Sequence, residues 1–70
     1  MVQKFAVIGM DCEHCQAAVA KAVGGLSGVR DVQVSLETDS MVVDFDADVA
    51  NVQRIIEAVE EAGYEAEAVH

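Results

Sequence analysis

The feature that most constrains this chain is the order in which its hydrophobic periodicity changes along 70 residues. Alternation of apolar and polar residues predicts a strand, and apolar residues three and four positions apart predict a helix. The periods run strand, helix, strand, strand, helix, strand, with turn residues between them. The predicted segments are residues 2–8, 13–23, 29–37, 41–46, 49–62 and 64–69.

This order predicts an α+β fold, a ferredoxin-like βαββαβ sandwich in which two helices cover one face of a four-stranded antiparallel sheet. Each predicted strand has one apolar face, and each helix has one apolar stripe. Asp48 is expected to cap the second helix, and Gly24 and Gly63 are expected to end the two helices. The residues expected to point inward are Phe5, Val7, Cys15, Val19, Ala22, Val23, Val32, Val34, Leu36, Met41, Val43, Phe45, Val52, Ile55, Ile56 and Val59.

Length and composition limit the possible function. We expect residues 1–70 to form a single domain, which at this size buries only about 60% of its unfolded surface. Apolar residues make up 53% and Pro is absent, which is typical of a packed domain and not of a disordered segment. So small a domain has no room for a deep cleft, and no Ser/His/Asp or paired-carboxylate constellation stands out. We therefore expect a protein that is not an enzyme.

The charge of the chain excludes two classes of partner. Thirteen acidic and four basic residues give a formal charge of −9. Nucleic acid needs basic residues against its phosphates, and an anionic membrane surface needs them too. Residues 1–35 are net neutral, whereas residues 36–70 contain one base and ten acids. We expect the first helix to stay near neutral, and the acidic half to face away from a partner or to orient it by long-range steering.

No segment is long and apolar enough for a signal-peptide core or a membrane span. The expected location is therefore the cytoplasm, without membrane insertion, and Met1 favours a free-standing protein over a domain of a longer transporter. Disulfide frameworks are rare in the cytoplasm, so a close cysteine pair there more often binds a metal or does redox work.

Cys12 and Cys15 carry the most specific chemistry in the chain. Cys12 lies in the predicted loop and Cys15 in the first turn of the first helix, so their sulfurs can converge on one point. Amides at the helix N-terminus favour thiolates and lower the pKa of both cysteines. Two thiolates suit a soft, low-valent ion such as Cu(I), whereas a structural zinc site needs four closing ligands. The pair therefore predicts an open site for an ion that is carried.

Two other interpretations of the pair stay open. A small CxxC thiol oxidoreductase has the same spacing, but domains of the thioredoxin type are longer and place a cis-proline near the pair, and this chain has no Pro. Two ordinary buried cysteines would not suit the polar surroundings of Cys12, which lies between Asp11 and Glu13.

Residues 9–15, with the sequence Gly-Met-Asp-Cys-Glu-His-Cys, resemble the GMxCxxC motif of heavy-metal-associated domains, and most of all free-standing bacterial copper chaperones. Three further similarities extend the resemblance over essentially the whole chain: Gly28-Val29, Phe45-Asp46 and Gly63-Tyr64. The resemblance implies that Cys12 and Cys15 hold Cu(I). It also implies transfer by thiolate exchange to the metal-binding domain of a P-type ATPase or to a copper-sensing repressor. We expect a monomer without metal, and an open two-thiolate site is able to bridge two molecules through shared copper.

Asp11 leaves the choice of metal open. His14 and Tyr64 are similar to residues of bacterial copper chaperones and favour copper. Asp11 stands where those chaperones usually have Thr or Ser. An Asp-Cys-x-x-Cys sequence resembles domains of zinc-, cadmium- and lead-exporting ATPases, in which the carboxylate is a third ligand. Zn(II) or Cd(II) is therefore the alternative to Cu(I).

Four residues near the cysteines are expected to have supporting roles. Asp11 is either a third ligand or the cap of the first helix, and His14 faces solvent. Met10 anchors the loop in the core, although its thioether is also able to bind Cu(I). Tyr64 packs beside the site, where its hydroxyl donates toward a sulfur. The docking surface for a partner is expected on the loop and the outer side of the first helix, at Gln16, Ala17, Ala20 and Lys21.

Overall fold

Six secondary-structure elements occur in the predicted order. The structure is a computed structural model that describes residues 1–9 and 13–69 of the chain. Apart from the start of the second helix, the predicted boundaries lie within about two residues of the observed ones, a normal spread for helix and strand ends. The elements are β1 (Val2–Ile8), α1 (Glu13–Gly24), β2 (Val29–Ser35), β3 (Ser40–Phe45), α2 (Val52–Glu61) and β4 (Glu65–Val69).

The four strands form one antiparallel sheet with the order β2-β3-β1-β4. The register places Phe5 of β1 opposite Met41 of β3 on one side and opposite Ala68 of β4 on the other. Directly opposite residues of antiparallel strands share a face of the sheet. Because Phe5 and Met41 are fully buried, that face is the core side.

Both helices cover the core side of the sheet. α1 packs on β2, α2 packs on β4, and the two helices touch each other. The predicted ferredoxin-like βαββαβ architecture is therefore confirmed, and the described elements place no helix on the other face of the sheet. The buried core consists of Phe5, Val7, Val19, Val23, Met41, Val43, Phe45, Ala50, Ile55, Ala58 and Val59.

The start of α2 differs from the prediction. The N-cap is Asn51 and not Asp48, and Asn51 Oδ1 accepts the backbone N–H of Arg54 at 2.9 Å. Asp48 instead lies in a turn, where its own N–H donates to Asp46 Oδ1 at 3.0 Å. This turn places Ala50 in the core at 2% exposure, and that burial delays the start of the helix.

Among the described residues, neither helix is long and apolar enough to cross a membrane.

Candidate metal centre

The candidate centre lies at the junction between β1 and α1. β1 ends at Ile8, Gly9 follows with a φ of 99°, and α1 begins at Glu13. Cys15 is the third residue of α1 and so lies in its first turn, where the sequence pattern places it. Three other predicted site residues lie outside the described part of the chain: Met10, Asp11 and Cys12.

Cys15 is held at the rim of the core. Residues four positions apart lie on one side of a helix, so Cys15 shares the inner stripe of α1 with the fully buried Val19 and Val23. Cys15 itself is half-buried and packs against the core. The next residue, Gln16, ties this turn to the sheet, because its Nε2 donates to the backbone oxygen of Val34 at 3.1 Å. The first turn thus presents a sulfur that is fixed in position and partly exposed.

Tyr64 lies beside the start of the loop. A Cβ at Gly9 would come within 3.4 Å of Tyr64 Cδ1. The Tyr64 backbone N–H donates to the oxygen of Val59 at 3.1 Å, and Gly63 before it has a φ of 97°. The Tyr64 side chain is half-buried and packs against the core. It is therefore both a core side chain and a neighbour of the loop.

The turn between β2 and β3 also lies at this end of the sheet, and the sequence pattern did not predict this. Val7, near the end of β1, donates its N–H to the backbone oxygen of Asp39 at 2.8 Å. Asp39 has a φ of 48°, a left-handed conformation that Asp tolerates. A hydrogen bond of 2.5 Å joins the hydroxyls of Thr38 and Ser40. The sequence signal for the turn was present, but its position beside the loop depends on the order of the strands.

The division of the sequence into a neutral first half and an acidic second half does not persist at this end of the folded molecule. Antiparallel pairing returns the β2–β3 turn and the start of β4 to the end of β1, and both are acidic. Arg30 and Arg54 lie at the starts of β2 and α2, near the opposite end of the sheet. The exposed acids at the end that contains Gly9 are Glu13, Glu37, Asp39 and Glu65.

These acids do not form a further metal site within the structure as described. In residues 1–9 and 13–69, no three His, Cys, Asp or Glu side chains are placed to hold one ion. His14 is exposed, in agreement with its expected solvent-facing position.

The outer side of α1 agrees only in part with the predicted docking surface. Ala17 and Lys21 are exposed as expected, and Ala18 is exposed with them. Gln16 and Ala20 are half-buried, and the Gln16 amide is bonded to β2. Each residue turns the helix by about 100°, so these two positions lie next to the inner stripe and face the side of the sheet.

Comparison with known proteins assigns the family. The sequence profile of the heavy-metal-associated domain matches residues 4–65, and the chain belongs to this family. The copper chaperone CopZ of Enterococcus hirae is 48% identical over 71 residues, which cover 99% of this chain and 100% of that protein. The periplasmic component of a mercuric transport protein from Serratia marcescens is 42% identical over 60 residues, which cover 86% of this chain and 66% of that protein.

Solved structures agree with the fold. The crystal structure of a copper binding domain from HMA7, a P-type ATPase, superposes with a TM-score of 0.96 at 32% identity. The superposition covers 99% of this chain and 93% of that domain. The sequence relatives and the structural neighbour thus include a chaperone, a transport component and a domain of an ATPase.

Proposed function

We propose that this chain is a metallochaperone that binds Cu(I) through the thiolates of Cys12 and Cys15 and hands the ion to another protein. The observation that carries the proposal is the position of Cys15, half-buried in the first turn of α1 at the junction with β1. Near-full-length similarity to a copper chaperone supports copper as the ion. The proposed role is that of a carrier and not of an enzyme.

The proposed handover is a ligand exchange without a redox step. An ion held by two thiolates keeps open coordination positions, so a cysteine thiolate of the partner adds as a third ligand. One original sulfur then leaves, a second partner thiolate binds, and the remaining original sulfur leaves. The ion keeps its single positive charge throughout. A half-buried sulfur suits this exchange, because a partner reaches it without unfolding α1.

The proposed recipient is the metal-binding domain of a P-type ATPase or a copper-sensing repressor. The similarity to a copper binding domain of a P-type ATPase supports the first, since two domains of one fold are able to present matching sites to each other. We further propose that residues 1–70 act as one domain in the cytoplasm. In this proposal the chain is a monomer without metal, and shared copper is able to bridge two copies.

Three residues are proposed to support the two thiolates, and the neighbouring His14 is not one of them. Tyr64 contacts Gly9 and thereby borders the loop, where its hydroxyl donates toward a sulfur and limits access of water. Met10 anchors the loop in the core, and Asp11 caps α1 or adds a carboxylate ligand. His14 is exposed and stays outside the ligand set.

Replacement of both cysteines tests the proposed ligands. Changes to residues around metal ligands lower affinity by about 10- to 100-fold, so the double variant Cys12→Ser/Cys15→Ser should lose more than that. The measurement is a competition titration with a coloured Cu(I) chelator. His14→Ala, at an exposed position between the cysteines, is the matched control and should keep the affinity of the wild type. Unchanged Cu(I) affinity in the double variant would overturn the proposal.

Asp11 favours a second candidate, a carrier of Zn(II) or Cd(II). Its carboxylate directly precedes Cys12, and a divalent ion would use the charge of two thiolates and one carboxylate. The similarity to a mercuric transport protein also connects the fold with a metal other than copper. Asp11→Ala separates the candidates in parallel titrations, because only Zn(II) binding should need Asp11. Tighter binding of Zn(II) than of Cu(I), lost in Asp11→Ala, would favour the second candidate.

A further inference from the structure

The sheet carries a groove, at the ends of β1 and β2, that the ligand exchange does not use. The groove has a volume of about 610 Å³ and lies at the end of the sheet that contains Gly9. β1 contributes Ala6 and Ile8, and the β2–β3 turn contributes Leu36 and Asp39. Gly9 also lines it, so the groove borders the start of the loop of the candidate centre.

Large apolar side chains are exposed on the outer face of the sheet, opposite the helices. Ile8 is 58% exposed, although it is large and apolar. Phe5 and Val7 of the same strand are buried in the core, so the alternation of a strand turns Ile8 to the outer face. The exposed large apolar side chains on the outer face are Val2, Ile8, Val42 and Val69. Lys4 lies between Val42 and Val69, and Val2 is at the other end of β1, so Ile8 with Ala6 forms the apolar surface at the groove.

Acidic side chains border the groove on both sides. Asp39 lines it from the β2–β3 turn. On the other side, Glu65 lies directly opposite Ile8, and Glu67 lies opposite Ala6. Both glutamates are exposed, and Cβ atoms of directly opposite residues are only about 5 Å apart. The groove is thus apolar along β1 and negatively charged along its borders.

We propose that this groove receives a basic segment of the protein to which the metal ion is delivered, an inference that rests on the proposed carrier function. Apolar side chains of the segment cover Ala6 and Ile8, and its Lys or Arg side chains meet Asp39, Glu65 and Glu67. Opposite charges at the borders select such a partner and speed its approach. Because Gly9 belongs to the groove, one partner contacts the groove and the loop together.

A second copy of this chain is the less favourable occupant of the groove. It would bring the same three acids against Asp39, Glu65 and Glu67, and like charges placed together oppose association. The overall charge of −9 adds to this repulsion at long range. A basic segment removes the repulsion and still covers the apolar centre.

A titration of the metal-free full chain with a defined peptide tests the proposal. The probes are a short blocked peptide in which Lys and Leu alternate and its counterpart with Glu in place of Lys. Amide chemical shifts of the ¹⁵N-labelled protein report where each peptide binds. We expect saturable shifts at Ile8, Thr38 and Glu65 with the Lys peptide alone, and weaker binding as salt screens the charges.

Two triple variants with the same change in net charge separate the groove from general attraction. The groove variant, Asp39→Asn/Glu65→Gln/Glu67→Gln, should weaken peptide binding by about 10-fold or more. The α2 variant, Glu57→Gln/Glu60→Gln/Glu61→Gln, should leave peptide binding nearly unchanged. Asn replaces Asp39 because it tolerates the same left-handed backbone. Ile8→Ser, at an exposed position, should also weaken binding.

Several results would overturn the proposal. Equal weakening by the two triple variants would mean that the peptide responds to net charge alone. Shifts confined to the outer side of α1 would place the docking surface elsewhere. A dimer in sedimentation that Ile8→Ser abolishes would mean that a second copy covers the face. None of these measurements involves metal. The proposed docking at the groove can therefore be overturned while Cys12 and Cys15 still bind Cu(I), and Cu(I) binding can be overturned while the peptide still binds the groove.

Discussion

The two helices lie side by side on one sheet, but they bury residues in different parts of their length. α2 begins at a capped end and buries Ile55, Ala58 and Val59. α1 buries Val19 and Val23, both in its second half. The first turn of α1 is therefore not needed to fill the core. The comparison shows that the fully buried residues of α1 lie away from its first turn, which leaves that turn at the edge of the core.

The largest expected effect on stability is at the centre of α2. Ile55 is fully buried, so Ile55→Ala should lower the free energy of unfolding by about 2–5 kcal/mol through lost burial and a cavity. Denaturant unfolding measures the change. Ala18→Ser, at an exposed position of α1, is the control and should stay within about 0.5 kcal/mol. A similar loss in both variants would mean that burial of Ile55 does not account for the effect.

Gly28 should show the next largest effect, at the end of the molecule away from the loop. Its φ is 92°, and a Cβ there would lie 2.8 Å from Val49 Cβ. Backbone strain and overpacking together should make Gly28→Ala less stable by about 2–4 kcal/mol, while Cu(I) affinity of the folded protein stays unchanged. Gly24→Ala is the matched control, since a Cβ at Gly24 has open space around it. If Gly28→Ala altered Cu(I) affinity as well, the two ends of the molecule would be coupled.

Gly9 and Gly63 provide a smaller and more local test at the metal end. Both have positive φ; a Cβ at Gly9 would lie 3.4 Å from Tyr64 Cδ1, whereas a Cβ at Gly63 would meet no residue beyond its own chain neighbours within 4 Å. Each change to Ala should cost about 1–2 kcal/mol from backbone conformation. Tyr64 is the single Tyr and Trp is absent, so tyrosine fluorescence reports its surroundings directly. The emission should change in Gly9→Ala; an emission identical to that of the wild type would contradict the closeness of Tyr64 to Gly9.

The smallest expected effect tests the start of α2. Asn51→Ala should lower stability by about 1 kcal/mol, because the Arg54 N–H loses its acceptor. Asp48→Ala should stay within about 0.5 kcal/mol, since Asp48 takes part in the turn through its backbone N–H. Thermal unfolding of the two variants ranks the two residues. A larger loss of stability for Asp48→Ala than for Asn51→Ala would mean that Asp48 is the cap of α2, as the sequence pattern predicted.

Most of the fold was predictable because its signals are local. Alternation in β1 correctly placed Phe5 and Val7 in the core, and the stripe of α2 correctly placed Ile55 and Val59 there. The start of α2 was not predictable from the same signals. Asp48 and Asn51 are both good capping residues, and the choice between them depends on the burial of Ala50 in the tertiary structure.

In the candidate site, too, the local features were predictable from the sequence and the contacts between distant residues were not. The position of Cys15 in the first turn of α1 follows from the Gly9–Cys15 sequence and the helical period after it. Tyr64 was expected beside the site, but its closeness to Gly9 was not predictable from local signals, because 55 positions of sequence separate the two residues. The ligand role of Cys12 remains a prediction that the Cu(I) titration tests.

The sequence by itself determined the order of the elements, the face that each buries and the cysteine spacing at a strand–helix junction. These properties depend on neighbours within a few positions along the chain, where periodicity acts. Only the tertiary structure decided the electrostatics of the metal end. Antiparallel pairing brings Asp39 and Glu65 beside Ile8, so acids from the second half of the chain are added to this end of the folded protein. Charge acts through space, and strand order sets which charges are neighbours.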